Sequence, residues 1–296
     1  MVSRIATYAA IGAMKLFSRL PMAVLYLISD ILFRMVYTVA GYRRSVTRRN
    51  LERSFPEKTP GEREQIARNY YRYLCDIMAE SMKTGAMTGE QLSERMVFRN
   101  PEVVNRFYEE GKSVIIMAMH YGNWEWLLHM PLLLRHHCYF VYKPLSNPIF
   151  DRYLNRLRAR FGGETVSMSL VLRKLLEAER RGEQVLTWLA ADQAPPWNHP
   201  FWTTFLNQET IFFNGPAKLA RRFGHPVLFQ RVRRISRGRY ETWFEVLFED
   251  PREVPEETII KNYIAKAEAV IREDPCCYLW SHKRWKYPYR GAPPSY

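Results

Sequence analysis

Two residues five positions apart, His120 and Glu125, are the pair in this chain best suited to moving a proton. They stand in the run His120-Tyr121-Gly122-Asn123-Trp124-Glu125, and the chemistry they suit is transfer of an acyl group to a hydroxyl. An alcohol is almost never ionised at neutral pH, so a base must take its proton as it attacks, and a neutral imidazole has the right pKa range. A carboxylate beside the ring fixes its tautomer and stabilises the imidazolium that forms. No protein nucleophile is needed, because the substrate's own hydroxyl attacks. Backbone N–H groups of the turn, or a nearby Arg, would hold the oxyanion. The plain structural alternative is a histidine bonded to a loop, Asn123 capping a helix and Glu125 sitting in a favourable helix dipole.

Such a pair needs a rigid mount. The run Val114-Ile115-Ile116-Met117-Ala118-Met119 fits a strand buried on both faces. Trp124 to Leu134 is apolar at helical spacing, which predicts a helix. His120 then lies at the carboxyl end of a strand, just before a helix amino terminus, in the crevice where open α/β sheets bind ligands. Further along, the pattern predicts a helix from Pro60 to Lys83 and a strand from Tyr139 to Tyr142. An Arg-rich helix from about Pro148 to Phe161, a helix over 167–181 and a strand from Gln184 to Ala190 follow. Phe213-Asn214-Gly215-Pro216 opens another helix, residues 226–249 read as a hairpin turning at Ser236-Arg237-Gly238, and a last helix runs from Glu256 to Ile271. The strand at Gln184–Ala190 leads into Asp192-Gln193, a position that mirrors His120. Asp192 is therefore a second site candidate, the alternative being a turn cap before Pro195.

At 296 residues the chain can bury a large core, as one domain or two. Its 44 Lys and Arg against 30 Asp and Glu give a net charge of +14, which implies an acidic partner: nucleic acid, an anionic membrane or an acidic protein. Its 16 Phe, 18 Tyr and 8 Trp fit nucleic acid and a membrane interface equally well. Cys75, Cys138, Cys276 and Cys277 show no zinc-like spacing, and the adjacent pair is a poor disulfide, so a reducing compartment and no metal are expected. Residues 5–42 are mostly apolar but carry Asp30 and Arg34, which could pair at i,i+4. That pattern fits a helix lying in, or dipping obliquely through, a membrane surface; a core helical hairpin is the alternative. Arg43, Arg44, Arg48, Arg49 and Arg53 follow, as suits an anionic cytoplasmic leaflet, and place the rest in the cytoplasm.

Several blocks together resemble the late acyltransferases of lipid A biosynthesis, the lauroyl/myristoyl transferase family, over nearly the whole chain. The blocks are Asn50-Leu51 with Phe55-Pro56; His120 through Glu125; Tyr142-Lys143-Pro144 with Asn147-Pro148, Asp151 and Arg158; Asp192-Gln193 with Phe213-Asn214-Gly215; and Pro275 through Trp280-x-His282-Lys283-Arg284-Trp285-Lys286. The sequence departs from the family at Lys143, where Arg is common, and in the loop Asp192-Gln193-Ala194-Pro195-Pro196-Trp197, which bears on the acceptor rather than the chemistry. The resemblance implies an α/β fold with a central, mostly parallel sheet flanked by helices, as in glycerol-phosphate acyltransferases, and an amphipathic or membrane-inserted N-terminal helix. Residues 1–42 would form the membrane-associating segment and 43–296 one catalytic domain. It further implies transfer of a fatty acyl chain from acyl carrier protein to a hydroxyl of a lipid A precursor, at the cytoplasmic face of the inner membrane, with no cofactor. His120 would be the general base assisted by Glu125, and Lys143, Asn147, Arg158, Asp192, Lys283 and Arg284 would bind substrate. Partners would be acyl carrier protein, an anionic lipid acceptor and a membrane surface. The same chemistry on an aminolipid, glycerolipid or mannoside is one alternative. A nucleic-acid-binding protein is the other, disfavoured because no nucleic-acid module is recognisable.

Overall fold

A computed structural model describes residues 4–195 and 201–287. Two helices open the chain, α1 (Arg4–Arg19) and α2 (Met22–Arg34), and α2 runs into a π-helical turn, Met35–Ala40. α3 (Arg44–Ser54) and α4 (Pro60–Lys83) follow. α4 begins where it does because Thr59 and Glu62 form a reciprocal capping box around a first-turn proline. Next come α5 (Gly89–Ser93), β1 (Met96–Phe98), α6 (Glu102–Glu109), β2 (Val114–Ala118) and β3 (His137–Tyr142). The chain continues with α7 (Pro148–Ala159), β4 (Glu164–Ser167), α8 (Val171–Arg180) and β5 (Val185–Ala190). A small hairpin, β6 (Trp202–Phe205) and β7 (Gln208–Ile211), precedes α9 (Gly215–Phe223). The long hairpin β8 (Val227–Ser236) and β9 (Arg239–Phe248) and then α10 (Glu256–Glu273) complete the fold.

Seven strands form one sheet in the order β1-β9-β8-β2-β5-β3-β4. β8, β2, β5, β3 and β4 run parallel; β9 is antiparallel to β8 and carries β1 parallel at the edge. The mostly parallel, helix-flanked α/β sheet is thus the architecture the sequence implied. β2 lies in its middle and every residue of it is buried, which is why its sequence is continuously apolar instead of alternating.

Local expectations differ from the structure in four places. The helix predicted from Trp124 is a tighter 3₁₀ segment, Trp126–Leu132, because Pro131 inside it has no N–H to continue an α-helical ladder. The helix predicted over 167–181 begins later, and the four residues before its loop pair with β3 as the edge strand β4. Only Val166 of that strand is buried, so it carries no periodic signal. The β6–β7 hairpin and the three-residue β1 are likewise too short to announce themselves. Finally, Asp30 does not pair with Arg34. It pairs with Arg237 at 2.9 Å, in the β8–β9 turn. A surface i,i+4 pair is worth only about 0.3–0.5 kcal/mol. Arg237 instead also meets Asp76, which is fully buried on α4 and shared with Arg234 at 2.9 Å. Leaving such a buried charge uncompensated costs several kcal/mol.

These contacts fix α2 on the body of the protein. Leu25, Ser29 and Phe33 face inward, and the Ser29 hydroxyl donates to Asp76 at 2.8 Å. The opposite face leaves Val24, Leu27, Ile31 and Met35 exposed.

Candidate active site

β2 and β5 are neighbours in register, with Ala118 opposite Ala190. Two residues beyond that pair the chains leave the sheet, so His120 and Asp192 emerge side by side at its carboxyl end. His120 Nδ1 lies 2.8 Å from Asp192 Oδ1, which also accepts the His120 backbone N–H at 3.1 Å. Asp192 is buried. An ionised carboxylate can only accept, so the ring proton is on Nδ1 and the Nε2 lone pair is left for a substrate. The Gln193 amide nitrogen sits 3.3 Å from Nε2, and the Trp124 ring stands edge-on to the imidazole with centroids 5.4 Å apart.

Glu125, expected beside His120, is placed elsewhere. Its carboxylate takes two hydrogen bonds from Arg158 on α7, at 2.6 and 3.2 Å. The cause is the path of the chain after β2. Tyr121 bridges to Tyr278, Gly122 adopts φ +60° and its carbonyl accepts the Tyr73 hydroxyl, so no regular helix begins at Trp124. That turn brings Glu125 towards α7. Its charge still reaches the imidazole. For His120, burial opposes the charged form, but the attraction and hydrogen bond of Asp192, and then Glu125, outweigh it and raise its pKa; Arg158 opposes. Burial alone would raise the Asp192 carboxyl, yet His120 and the backbone N–H hold it below the usual range.

The remaining candidates divide. Arg158 joins the site through Glu125. Lys143 lies exposed just past β3, and Lys283 is exposed near the C-terminal block. Asn147 is a helix cap: its side-chain oxygen accepts from the N–H groups of Ile149 and Phe150, and its Nδ2 donates to Thr7 of α1 at 2.9 Å. Arg284, expected to bind substrate, is 1% exposed and lies in the interior. It donates to Thr210 at 2.7 Å and lies over the Phe212 ring at 4.2 Å, because the aromatic C-terminal block folds beneath the site. Burial lowers its pKa, and Asp192 is among the groups that raise it.

Three neighbours of the pair were not singled out from the sequence: Gln193, Trp124 and, near enough for its charge to couple to His120 and Asp192, His282. The first two are immediate neighbours of named candidates. His282 is held neutral, its pKa pushed down to about 4 by burial, although Asp192 pulls it upward. Its place in the Trp280-x-His282 block was the available signal. Pro196 and Trp197 of the predicted acceptor loop lie outside the described residues.

The family model for bacterial lipid A biosynthesis acyltransferases matches residues 1–287. The lipid A biosynthesis palmitoleoyltransferase of Escherichia coli (strain K12) is 24% identical over 283 residues, covering 95% of this chain and 90% of that protein. The lipid A biosynthesis lauroyltransferase of the same organism is 25% identical over 306 residues, covering 98% of this chain and 94% of that one. Among solved structures, the 1-acyl-sn-glycerophosphate (LPA) acyltransferase PlsC from Thermotoga maritima aligns with a TM-score of 0.37 at 16% identity, over 91% of this chain and 99% of that chain. That score is too low to bear on fold or activity.

Proposed function

This chain belongs to the bacterial lipid A biosynthesis acyltransferase family, and from that premise we propose that it moves a fatty acyl chain from acyl carrier protein to a hydroxyl of a lipid A precursor. The observation that carries the reading is the His120–Asp192 hydrogen bond of 2.8 Å, which leaves Nε2 as the basic atom at the mouth of the sheet.

In this reading Nε2 takes the proton of the acceptor hydroxyl while its oxygen attacks the thioester carbonyl. The position now held by the Gln193 amide is the one the hydroxyl takes. Asp192 keeps the ring oriented and stabilises the imidazolium. Arg158, aligned by Glu125, is the side chain proposed to face the oxyanion. Collapse of the tetrahedral intermediate breaks the carbon–sulfur bond, and the departing thiolate takes the proton from Nε2. The products are an ester, a carrier thiol and a neutral histidine. A cysteine nucleophile fits poorly: burial pushes Cys75 and Cys276 up to about 11 and Cys138 up to about 12, which keeps them protonated.

Both substrates are acidic, which suits a chain of net charge +14 with exposed Lys143, Arg152, Arg156 and Lys283. We place the enzyme on the cytoplasmic face of the inner membrane, with α2 lying in the interface. Met22–Ala40 is 19 residues long and apolar enough to cross a bilayer. One of its faces, however, is fastened to Asp76 and Arg237, and a helix lying in the membrane plane keeps those charges out of lipid.

The test is mass spectrometry of the lipid product. The purified full chain is given acyl carrier protein loaded with lauroyl, myristoyl or palmitoyl chains, and a lipid A precursor lacking secondary acyl groups. The expected result is a gain of one acyl group with release of carrier thiol. Acylation of an aminolipid, glycerolipid or mannoside instead would overturn the acceptor. No transfer from any loaded carrier would overturn the donor.

A further inference from the structure

Behind the catalytic turn lies a buried carboxylate that the proposed chemistry does not use. Glu80, on α4, is fully buried and accepts hydrogen bonds from three other segments of the chain. The Tyr26 hydroxyl of α2 donates to Oε1 at 2.9 Å. Asn123 Nδ2 donates to Oε2 at 2.7 Å, and the Tyr240 hydroxyl of β9 donates to the same oxygen at 2.9 Å. Asn123 lies between His120 and Glu125, and its side-chain oxygen accepts the Trp126 N–H at 3.1 Å, which closes the turn. The Trp126 indole in turn donates to the Glu80 carbonyl at 3.2 Å. Together with Tyr73 on the Gly122 carbonyl, α4 grips the turn at both ends.

Retaining a carboxylate here has a cost: burial pushes Glu80 up to about 7, against the pull of its three donors. Apolar packing would fill the same space without that cost. What apolar packing could not do is fix the direction of the Asn123 amide and so the spacing of His120 and Glu125.

We propose that Glu80 is a positioning residue for acyl transfer, setting the turn that carries His120 and Glu125, and that Tyr26 makes this setting depend on α2 being seated. The enzyme would then be competent only with its apolar helix docked on α4. This rests on the reading of His120 as the base, and the variants below separate the two.

Turnover of the detergent-solubilised full chain is measured with the loaded carrier and lipid A precursor, alongside Tm. Glu80→Ala should lower kcat by up to about 100-fold, the scale of a misplaced reacting group, with KM for the carrier unchanged. Glu80→Gln keeps an acceptor oxygen for Asn123 and should recover most of that loss. Tyr26→Phe should lower kcat in the same direction. Because Glu80 acts through the turn, Glu80→Ala should add clearly less than its own full loss to that already caused by His120→Ala. A folded Glu80→Ala with wild-type kcat, or losses that add fully in the double variant, would overturn the proposal. Should Glu80→Ala not fold, Tyr26→Phe decides: wild-type kcat there breaks the link to α2. Wild-type turnover in His120→Ala would remove the base while leaving the Glu80 effect readable.

Discussion

His120 must be neutral to accept a proton, and its surroundings favour the charged form. Asp192 and Glu125 together outweigh burial, so the folded pKa lies above the ordinary value of about 6.5. Turnover should therefore rise with pH along a limb centred above that value. Asp192→Asn removes the largest of the upward pulls, so the limb should move to lower pH. Turnover should also fall, by up to about 10⁴, because an amide can hold the wrong tautomer. At this scale the sequence was informative about residue types and silent about pairs. His120 stood out by its chemistry and Asp192 by ending a matching strand. Their contact depends on the register of β2 against β5, and that of Glu125 with Arg158 joins residues 33 positions apart. Neither leaves a periodic trace.

Gly122 is where an element's geometry becomes the site's geometry. It sits at φ +60°, and a Cβ there would lie 2.4 Å from Val232 Cγ1. The left-handed backbone costs a non-glycine residue roughly 1–2 kcal/mol, and the overlap about 1–3 kcal/mol more. Gly122→Ala should thus destabilise by about 2–5 kcal/mol, read by denaturant unfolding, and should lower kcat in the fraction that stays folded. Unchanged stability would mean the turn can re-form another way. Elements with a strong local signature were legible: the continuous apolar run of β2, the largely apolar β5, the capped α4 and the β8–β9 hairpin. Those that depend on a neighbour were not. β4 is an edge strand with one buried residue, and the 3₁₀ segment follows from the turn at Gly122 together with Pro131.

Across the whole molecule, the arginines after α2 make structural contacts that composition alone does not reveal. Arg44 and Arg48 both meet Glu64, and Arg43 donates to the Ser281 carbonyl at 3.1 Å. Asn50 donates to the carbonyls of Trp280 and His282, so this segment fastens the C-terminal block. Arg43, Arg48, Arg49 and Arg53 are all exposed. Membrane attachment should therefore depend on the outer stripe of α2. Leu27 and Ile31 are 62% and 53% exposed, so replacing both by Asp should leave Tm unchanged while reducing sedimentation with phosphatidylglycerol vesicles. Full retention on vesicles would locate the contact elsewhere. Removing residues 1–42 is a harsher change, because it uncovers Asp76 and Glu80.

The pH–rate profile of His120→Ala, set beside that of the wild type, tests the proton transfer most directly. The variant should stay folded with a Tm lowered by the loss of the partner of buried Asp192, lose roughly 10²–10⁴ in kcat and lack the rising limb. A folded His120→Ala enzyme with near wild-type turnover, or one that keeps the limb, would contradict His120 as the base.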